Sequence, residues 1–481
     1  MEYEAVIGLE VHAQLLTRSK MFCRCQVVDS TEAEPNLYTC PVCTGMPGAL
    51  PVINRRAVEY TIMTGLALNC QIARHTFWER KSYFYPDLPK GYQISQYQLP
   101  LAYSGWLDVE TEGGRRRVGI TRAHLEEDTG KLFHRGDHSL VDFNRAGVPL
   151  LEIVSEPDIR TPEEARQYLI HLRTILRYLG VSTGDMEKGA MRCEANVSVR
   201  PKGSRELGTK VEVKNLNSFR SVKLALEHEI ARQIAVLERG GRVEQVTMGW
   251  DEVRGRTVVQ RTKEAAEDYR YFPEPDLPPL VVDDRWVEAI RAQLPELPAA
   301  KRLRFVRDYA LPADVAAVLV EDRAVADFYE ACVAAYPDPK TVANWVTGEV
   351  FRLLRRSNQG VGQMRVSPAH LAELLRLVDS GTLTLTLAKA VFEEMCETGK
   401  APGQIVQARG LAVVGDAEAL EPIVQQVIRD HPDAVTQYLK GKEGALGFLI
   451  GQVMKATRGK ADPKLAGRLL AERLKGVGGR S

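Results

Sequence analysis

Acids and imidazoles recur on strand-like stretches at three places in the first third of the chain. In Ala5-Val6-Ile7-Gly8-Leu9-Glu10-Val11-His12, Glu10 and His12 stand two apart. Strand side chains alternate faces, so these two point the same way while Leu9 and Val11 take the other side. A second stretch, Gly119 to Lys131, carries the consecutive acids Glu126, Glu127 and Asp128, and a third, Pro149 to Glu156, carries Glu152. Carboxylates on apolar strands repel one another and are costly to bury, and hard oxygen ligands with an imidazole suit Mg²⁺ or Mn²⁺. The expected chemistry is a metal-holding, phosphate-handling site. For each acid taken singly the alternative is a solvated strand end paired with Arg or Lys. On a strand Glu126 and Glu127 point oppositely, which leaves open which of them is the ligand.

A second constellation is Cys23-Arg24-Cys25, then fourteen residues, then Cys40-Pro41-Val42-Cys43. Two close pairs of thiolates across a short loop can close a tetrahedral Zn²⁺ site. A closed four-cysteine site has no open coordination position, so its expected role is structural. The first pair is tighter than usual, and a redox pair or four unrelated thiols are the alternatives. Cys70, Cys193, Cys332 and Cys396 lie singly in apolar or helical contexts and read as buried thiols.

The segment from Arg80 to Tyr97 mixes cations, aromatic rings and amides over a Pro-broken loop. Charge suits phosphate, rings suit bases and amides suit base edges, although ordinary aromatic packing gives the same composition. None of the four Gly-Lys pairs has the earlier glycine of a Walker A loop, and no Gly-x-Gly-x-x-Gly occurs, so a nucleotide site here must be of another kind.

These side chains need a sheet to hold them. A hairpin is expected around Gly113-Gly114, and further alternating strands at Arg192–Arg200 and Thr209–Phe219 have one polar face. Thr161-Pro162-Glu163-Glu164 is a strong helix start, followed by Leu169, Leu172, Ile175, Leu176 and Leu179 at helical spacing. A second helix is expected from about Ser218 to Gly240. The proline-rich run Tyr271 to Leu280 closes this strand-rich unit in extended conformation. Beyond about residue 297 the chain is Ala-, Leu-, Arg- and Glu-rich with helical periodicity, and Ala401-Pro402-Gly403 separates off a last helical piece. The fold class is therefore α+β followed by all-α, divided as 1–292 (with the cysteine insertion near 23–43), 293–402 and 403–481.

Composition sets the outer bounds. At 481 residues the chain exceeds one ordinary domain. Its 64 Lys and Arg nearly balance 63 acids, so overall charge predicts no partner and any nucleic-acid surface must be local. A local excess exists from Gly441 onward, nine Lys or Arg against three acids. No basic leader and no 18-residue apolar run occurs, which predicts a cytoplasmic protein with no membrane partner.

Taken together, VIGLEVH, RKSYFYPDLPKGYQISQ, TRAHLEEDTGK, LLEIVSEPD, KVEVKNLNSF, DYRYFPEPD and the tail run GKEGALGFLIGQVMKAT resemble the B-subunit (GatB) family of the tRNA-dependent aspartyl/glutamyl amidotransferase, over essentially the whole chain. The resemblance implies a cradle-like mixed/antiparallel sheet domain with packed helices, a helical domain and a small helical YqeY-like tail that holds tRNA. It implies that ATP and Mg²⁺ serve to phosphorylate the side-chain carboxylate of glutamate or aspartate misacylated on tRNA(Gln) or tRNA(Asn). Ammonia from a glutamine-hydrolysing amidase, the A-subunit, then displaces the phosphate, with a small C-subunit completing a heterotrimer. Carried onto this sequence, the catalytic and Mg²⁺-ligand candidates are His12, Glu127 and Glu152, with Glu10 and Glu126 as direct or supporting ligands. Lys81 and Lys90 are candidates for phosphate, and Tyr83 and Gln93 for nucleotide or acceptor-end contacts. Structural Zn²⁺ falls to Cys23, Cys25, Cys40 and Cys43. A non-catalytic tRNA-binding scaffold and a free-standing zinc hydrolase are the competing readings.

Overall fold

The first strand, β1 (Tyr3–Gln14), shows how the sheet is specified. From Ile7 onward its side chains alternate between fully buried and half-buried, so Leu9, Val11 and Ala13 enter the core while Glu10, His12 and Gln14 face out. A computed structural model describes residues 2–111, 113–262, 269–411, 417–442, 444–457 and 461–478. By contact the chain divides into two units, Met1–Pro298 and Ala299–Ser481.

In the first unit the further strands are β2 (Gln71–Ile72), β3 (His75–Thr76), β4 (Glu79–Ser82), β5 (Tyr92–Ser95), β6 (Ala102–Thr111), β7 (Gly114–Glu127), β8 (Lys131–Arg135), β9 (His138–Asp142), β10 (Pro149–Ser155), β11 (Met191–Pro201), β12 (Val211–Leu216), β13 (Val246–Asp251) and β14 (Arg256–Thr262). Nine of them form one sheet in the order β14-β13-β12-β11-β1-β10-β7-β6-β2. Every pairing in it is antiparallel except β12 with β13. The expected hairpin is β6–β7, paired from Ala102 to Thr111.

One face of this sheet is apolar and covered by helices. Helix α1 (Arg55–Ala67) starts on an Asn54 cap and packs on β6 and β7. Helix α2 (Pro162–Tyr178) begins, as its sequence requires, with a Thr161–Glu164 capping box and Pro162 in its first turn. Helix α3 (Phe219–Glu238) is capped by Ser218. α2 and α3 pack on one another, α2 on β6 and α3 on β11, and Leu169, Leu172, Leu176, Val222 and Leu226 join Leu9, Val11, Leu125, Leu151 and Ile153 in one core. The opposite face is polar and partly overlaid by the β4–β5 hairpin.

The proline-rich segment runs extended as expected: Phe272–Pro273 pairs with β4 and Leu280–Val281 with β3. The unit ends at Pro298, a few residues past the expected 292, because Trp286, Val287, Ile290, Leu294 and Leu297 still pack on the sheet core.

The second unit is helical throughout its described residues and contains two separate apolar clusters, from Phe305 to Val406 and from Leu420 to Leu474. The helix Pro402–Arg409 gives Ile405 and Val406 to the first of them. A π turn at Val346–Val350 lies between the helices Pro339–Trp345 and Phe351–Ser357. Three of the four single cysteines are buried; Cys396 is only half-buried, because it sits at the flank of the helix Leu385–Thr398 beside the core. Among the described residues no helix is long and apolar enough to cross a membrane.

Candidate active site

Register across the sheet, and not proximity in sequence, assembles the polar face. Arg192 on β11 lies opposite His12 on β1, His12 opposite Glu152 on β10, and Glu152 opposite His124 on β7. One rung of four strands therefore reads Arg192, His12, Glu152, His124. Glu10 and Glu194 oppose one another on the next rung, and Glu126 stands two residues beyond His124. Opposed residues share a face, so all seven side chains project from the side away from the helices.

The distances are short. His12 Nε2 lies 3.3 Å from Glu152 Oε2 and 3.6 Å from Glu10 Oε1. His124 Nε2 lies 3.4 Å from Glu126 Oε1 and 3.8 Å from Glu152 Oε2. Among the described residues two triads, Glu10–His12–Glu152 and His124–Glu126–Glu152, each hold their ligand atoms within 4.8 Å. Glu152 belongs to both. The second triad is fully buried, whereas Glu10 and His12 open toward solvent.

Cations frame these acids. Arg122 reaches Glu152 at 3.4 Å, and Lys81 lies against the Tyr269 ring at 4.9 Å. Burial drives the Glu10 carboxyl up, and the charge of Glu152 adds to the rise. Burial alone would lower His12, but the hydrogen bond and charge of Glu152, with Glu10 and Glu126, lift it to about 9. Glu152 is held below the usual carboxylate range: burial opposes this, and His124, His12 and Lys81 outweigh it. For Lys81 burial is again opposed, here by Glu126, Tyr271 and Glu152, which raise it. Mutually repelling carboxylates beside imidazole suit a hard divalent cation, so the donor set fits Mg²⁺.

Glu126 and Glu127 do diverge, as strand geometry requires. Glu126 joins the buried triad and accepts from the Ser95 hydroxyl at 2.7 Å and the Gln93 amide at 3.0 Å. The Glu127 carboxylate is outside both triads; it pairs with Lys90 and accepts the Ile94 N–H at 3.1 Å. Gln93 also donates to the Glu127 main-chain carbonyl at 2.7 Å. Lys90, a candidate for phosphate, and Gln93, a candidate for nucleotide or acceptor-end contacts, thus bond the two acids of β7. Tyr83 meets Tyr269 edge-on, with Tyr271 next and Tyr97 stacked on Tyr271 at 4.7 Å between ring centres. Asp128 is tied down by Arg192 and Gln14, each at 2.8 Å, and burial's upward push on it is outweighed by Arg192 and Arg145.

Sequence reasoning missed His124 as a ligand candidate, although it precedes Glu126 by two on the same strand, the spacing that singled out Glu10 and His12. Arg192 and Arg122 carried no comparable signal, since only register places them beside His12 and Glu152.

The cysteines also converge. The Sγ atoms of Cys23, Cys25, Cys40 and Cys43 lie within 4.8 Å of one another. The Cys40 N–H donates to Cys43 Sγ at 3.2 Å and the buried Lys20 ammonium approaches it at 3.6 Å. A hydrogen bond from Cys23 holds Cys43 down to about 4, with Lys20 assisting against burial. The donor set fits Zn²⁺.

The fold and its acid-lined sheet face coincide with a catalytic-domain family: residues 5–288 match the GatB/GatE catalytic domain, and residues 327–474 match the GatB domain. A protein of Moorella thermoacetica, named as the B-subunit of aspartyl/glutamyl-tRNA(Asn/Gln) amidotransferase, is 57% identical over 98% of this chain and 100% of its own length. Proteins of the same name from Caldanaerobacter subterraneus and Carboxydothermus hydrogenoformans are 56% and 54% identical over 98% of the chain, covering 100% and 99% of their own lengths. The chain belongs to the B-subunit family of this amidotransferase.

Proposed function

We propose that this chain is the tRNA-facing subunit of a multi-subunit amidotransferase, converting glutamate or aspartate misacylated on tRNA(Gln) or tRNA(Asn) to the amide. The single observation that carries the proposal is the two-triad acid and imidazole face around Glu152, in a chain of this family.

A carboxylate is a poor acyl donor: its charge repels nucleophiles, and oxide is a poor leaving group. ATP removes both obstacles. A carboxylate oxygen attacks the γ-phosphorus and ADP leaves; ammonia then attacks the acyl carbon, phosphate departs, and the attacking nitrogen loses a proton. Mg²⁺ neutralises phosphate charge during this transfer. Glu10, His12 and Glu152 would hold it at the open edge, with His124 and Glu126 behind. Lys81, close to the acids yet stacked on Tyr269, supplies a positive charge for phosphate. Lys90 and Glu127 flank the site, and the tyrosines offer faces for a base.

The ammonia source is a separate amidase, the A-subunit, with a small C-subunit in the complex, because this chain carries no Ser-Ser-Lys amidase signature. Residues 403–481, in the place of a YqeY-like tail, bind tRNA. The four cysteines hold zinc for structure. The working compartment is the cytoplasm. A non-catalytic scaffold would need no acid triads, which disfavours that reading.

Glu152→Gln in the assembled complex is expected to abolish ATP-dependent phosphorylation of Glu-tRNA(Gln) while glutamine hydrolysis stays measurable. Full transamidation by that variant, with unchanged Mg²⁺ dependence, would overturn the assignment.

A further inference from the structure

The cysteine element and the acid face come together at two glycines. Gly45, two residues after Cys43, has φ +72°, and a Cβ there would lie 2.7 Å from Lys90 Cγ and 3.0 Å from Lys90 Cα. Its backbone therefore packs straight on the residue that pairs with Glu127. Gly147 has φ +85°, and a Cβ there would meet Cys43 Cβ at 3.3 Å, Lys20 Cδ at 3.5 Å and Glu127 Oε2 at 3.8 Å. These three groups thus meet around one backbone position, whose positive φ favours glycine and whose Cβ would be tight against Cys43.

Hydrogen bonds continue the connection. Lys20 Nζ reaches Cys43 Sγ at 3.6 Å and the Phe143 carbonyl at 3.2 Å, and its side chain is wholly buried. Met21 N–H donates to the Gly147 carbonyl, and Gly147 N–H to the Asp128 carbonyl. The loop between the cysteine pairs is bound to the end of β9 and the residues after it: Asn36 N–H to Asp142, Tyr38 N–H to Asn144, and Phe143 N–H to Asn36. A buried side-chain nitrogen needs polar partners, and for Lys20 these are Cys43 Sγ, one of the four grouped sulfurs, and the Phe143 carbonyl.

We infer that the four-cysteine element is a brace for the Lys90–Glu127 pair, with Gly45 and Gly147 as its contact points and Lys20 as the positioning residue that joins metal-bound sulfur to the loop at Phe143. The inference rests on the reading of Lys90 and Glu127 as flanking the phosphate site. Zinc then acts on the reaction without touching a reacting atom: it fixes where the cation and the acid stand.

The test is hydrogen–deuterium exchange on the assembled complex, zinc-loaded and after chelation, a readout independent of catalysis. Zinc removal is expected to speed exchange about tenfold or more in residues 88–95 and 126–148 while helix Pro162–Tyr178 is unchanged. Acceleration confined to residues 18–52 would overturn the brace. Two alanine variants separate contact from backbone strain, since Gly48 also has positive φ (+83°) but nothing within 4 Å of a Cβ. With zinc bound, Gly45→Ala should accelerate exchange around Lys90 and lower kcat of the ATP-dependent step, and Gly48→Ala should do neither. Equal effects would overturn the proposal. Lys20→Met should weaken zinc retention about 10- to 100-fold against a competing chelator; unchanged retention would remove Lys20 from it. Loss of activity in Glu152→Gln bears on the catalytic reading alone, so the two can fail separately.

Discussion

Glu152 is the residue on which both triads depend, and its neighbours explain why a buried carboxylate stays ionised there. His12 and His124 each face the same oxygen, at 3.3 and 3.8 Å, while Arg122 takes the other. His124 adds a contact that the alternation rule could have supplied from sequence. Its replacement tests whether the buried triad matters: His124→Gln is expected to weaken Mn²⁺ binding about 10- to 100-fold, read by the paramagnetic resonance of free Mn²⁺ titrated with the complex. Binding equal to the parent's would confine the metal to Glu10, His12 and Glu152. Glu126 and Glu127 differ in their partners: one acid accepts from Ser95 and Gln93, the other from Ile94 and Lys90.

Helix α2 was readable in nearly full detail, since its cap, its first-turn proline and its leucine stripe are local features. Its weight in the fold can be measured. Leu172, wholly buried between helix and sheet, should cost about 2–5 kcal/mol as alanine, seen as a lower urea midpoint for the first unit. Glu163 on the same helix bonds Arg166, Gln167 and Lys223. The Arg166 bond leads in holding it down to about 2 from 4.5, against burial. A depressed folded value stabilises above the unfolded one and is lost as pH falls from about 4.5 through about 2. Glu163→Gln should thus cost ~0.5 kcal/mol at pH 7, its side chain being one-third exposed, and much less at pH 2, where the folded group is about half protonated. An equal cost at both would show the charge to be irrelevant. By contrast, the π turn at Val346–Val350 had no sequence signal we can name; Val342–Leu354 has plain helical periodicity.

At the scale of the whole molecule the chain separates a strand-built chemical unit from a helical one. Within the helical unit the apolar residues beyond Leu420 form their own cluster, which is also where the basic excess lies. Of the charges counted there, Glu443, Arg458, Lys460 and Arg480 fall outside the described residues, while Lys455 and Lys464 are exposed. Deleting residues 403–481 from the complex should weaken tRNA binding more than it weakens ATP hydrolysis and flatten the salt dependence of binding. Filter binding at matched salt checks this; unchanged affinity would exclude the tail from tRNA recognition.

The sequence by itself determined what depends on near neighbours along the chain: the alternation that puts Glu10 with His12, the cap of α2 and the approximate start of α3, the paired cysteines, the extended proline run and the change to helical texture near residue 297. The motifs together also carried the family. Tertiary structure decided what depends on register. A side chain's partner across a sheet is set by which strands pair and with what offset, and β1, β7, β10 and β11 come from stretches far apart in sequence. Only that pairing brings Arg192, His12, Glu152 and His124 onto one rung, while tertiary packing of loops and of the separate β4–β5 hairpin turns Lys90 and Gln93 toward the β7 acids and sets the cysteine element against Lys90.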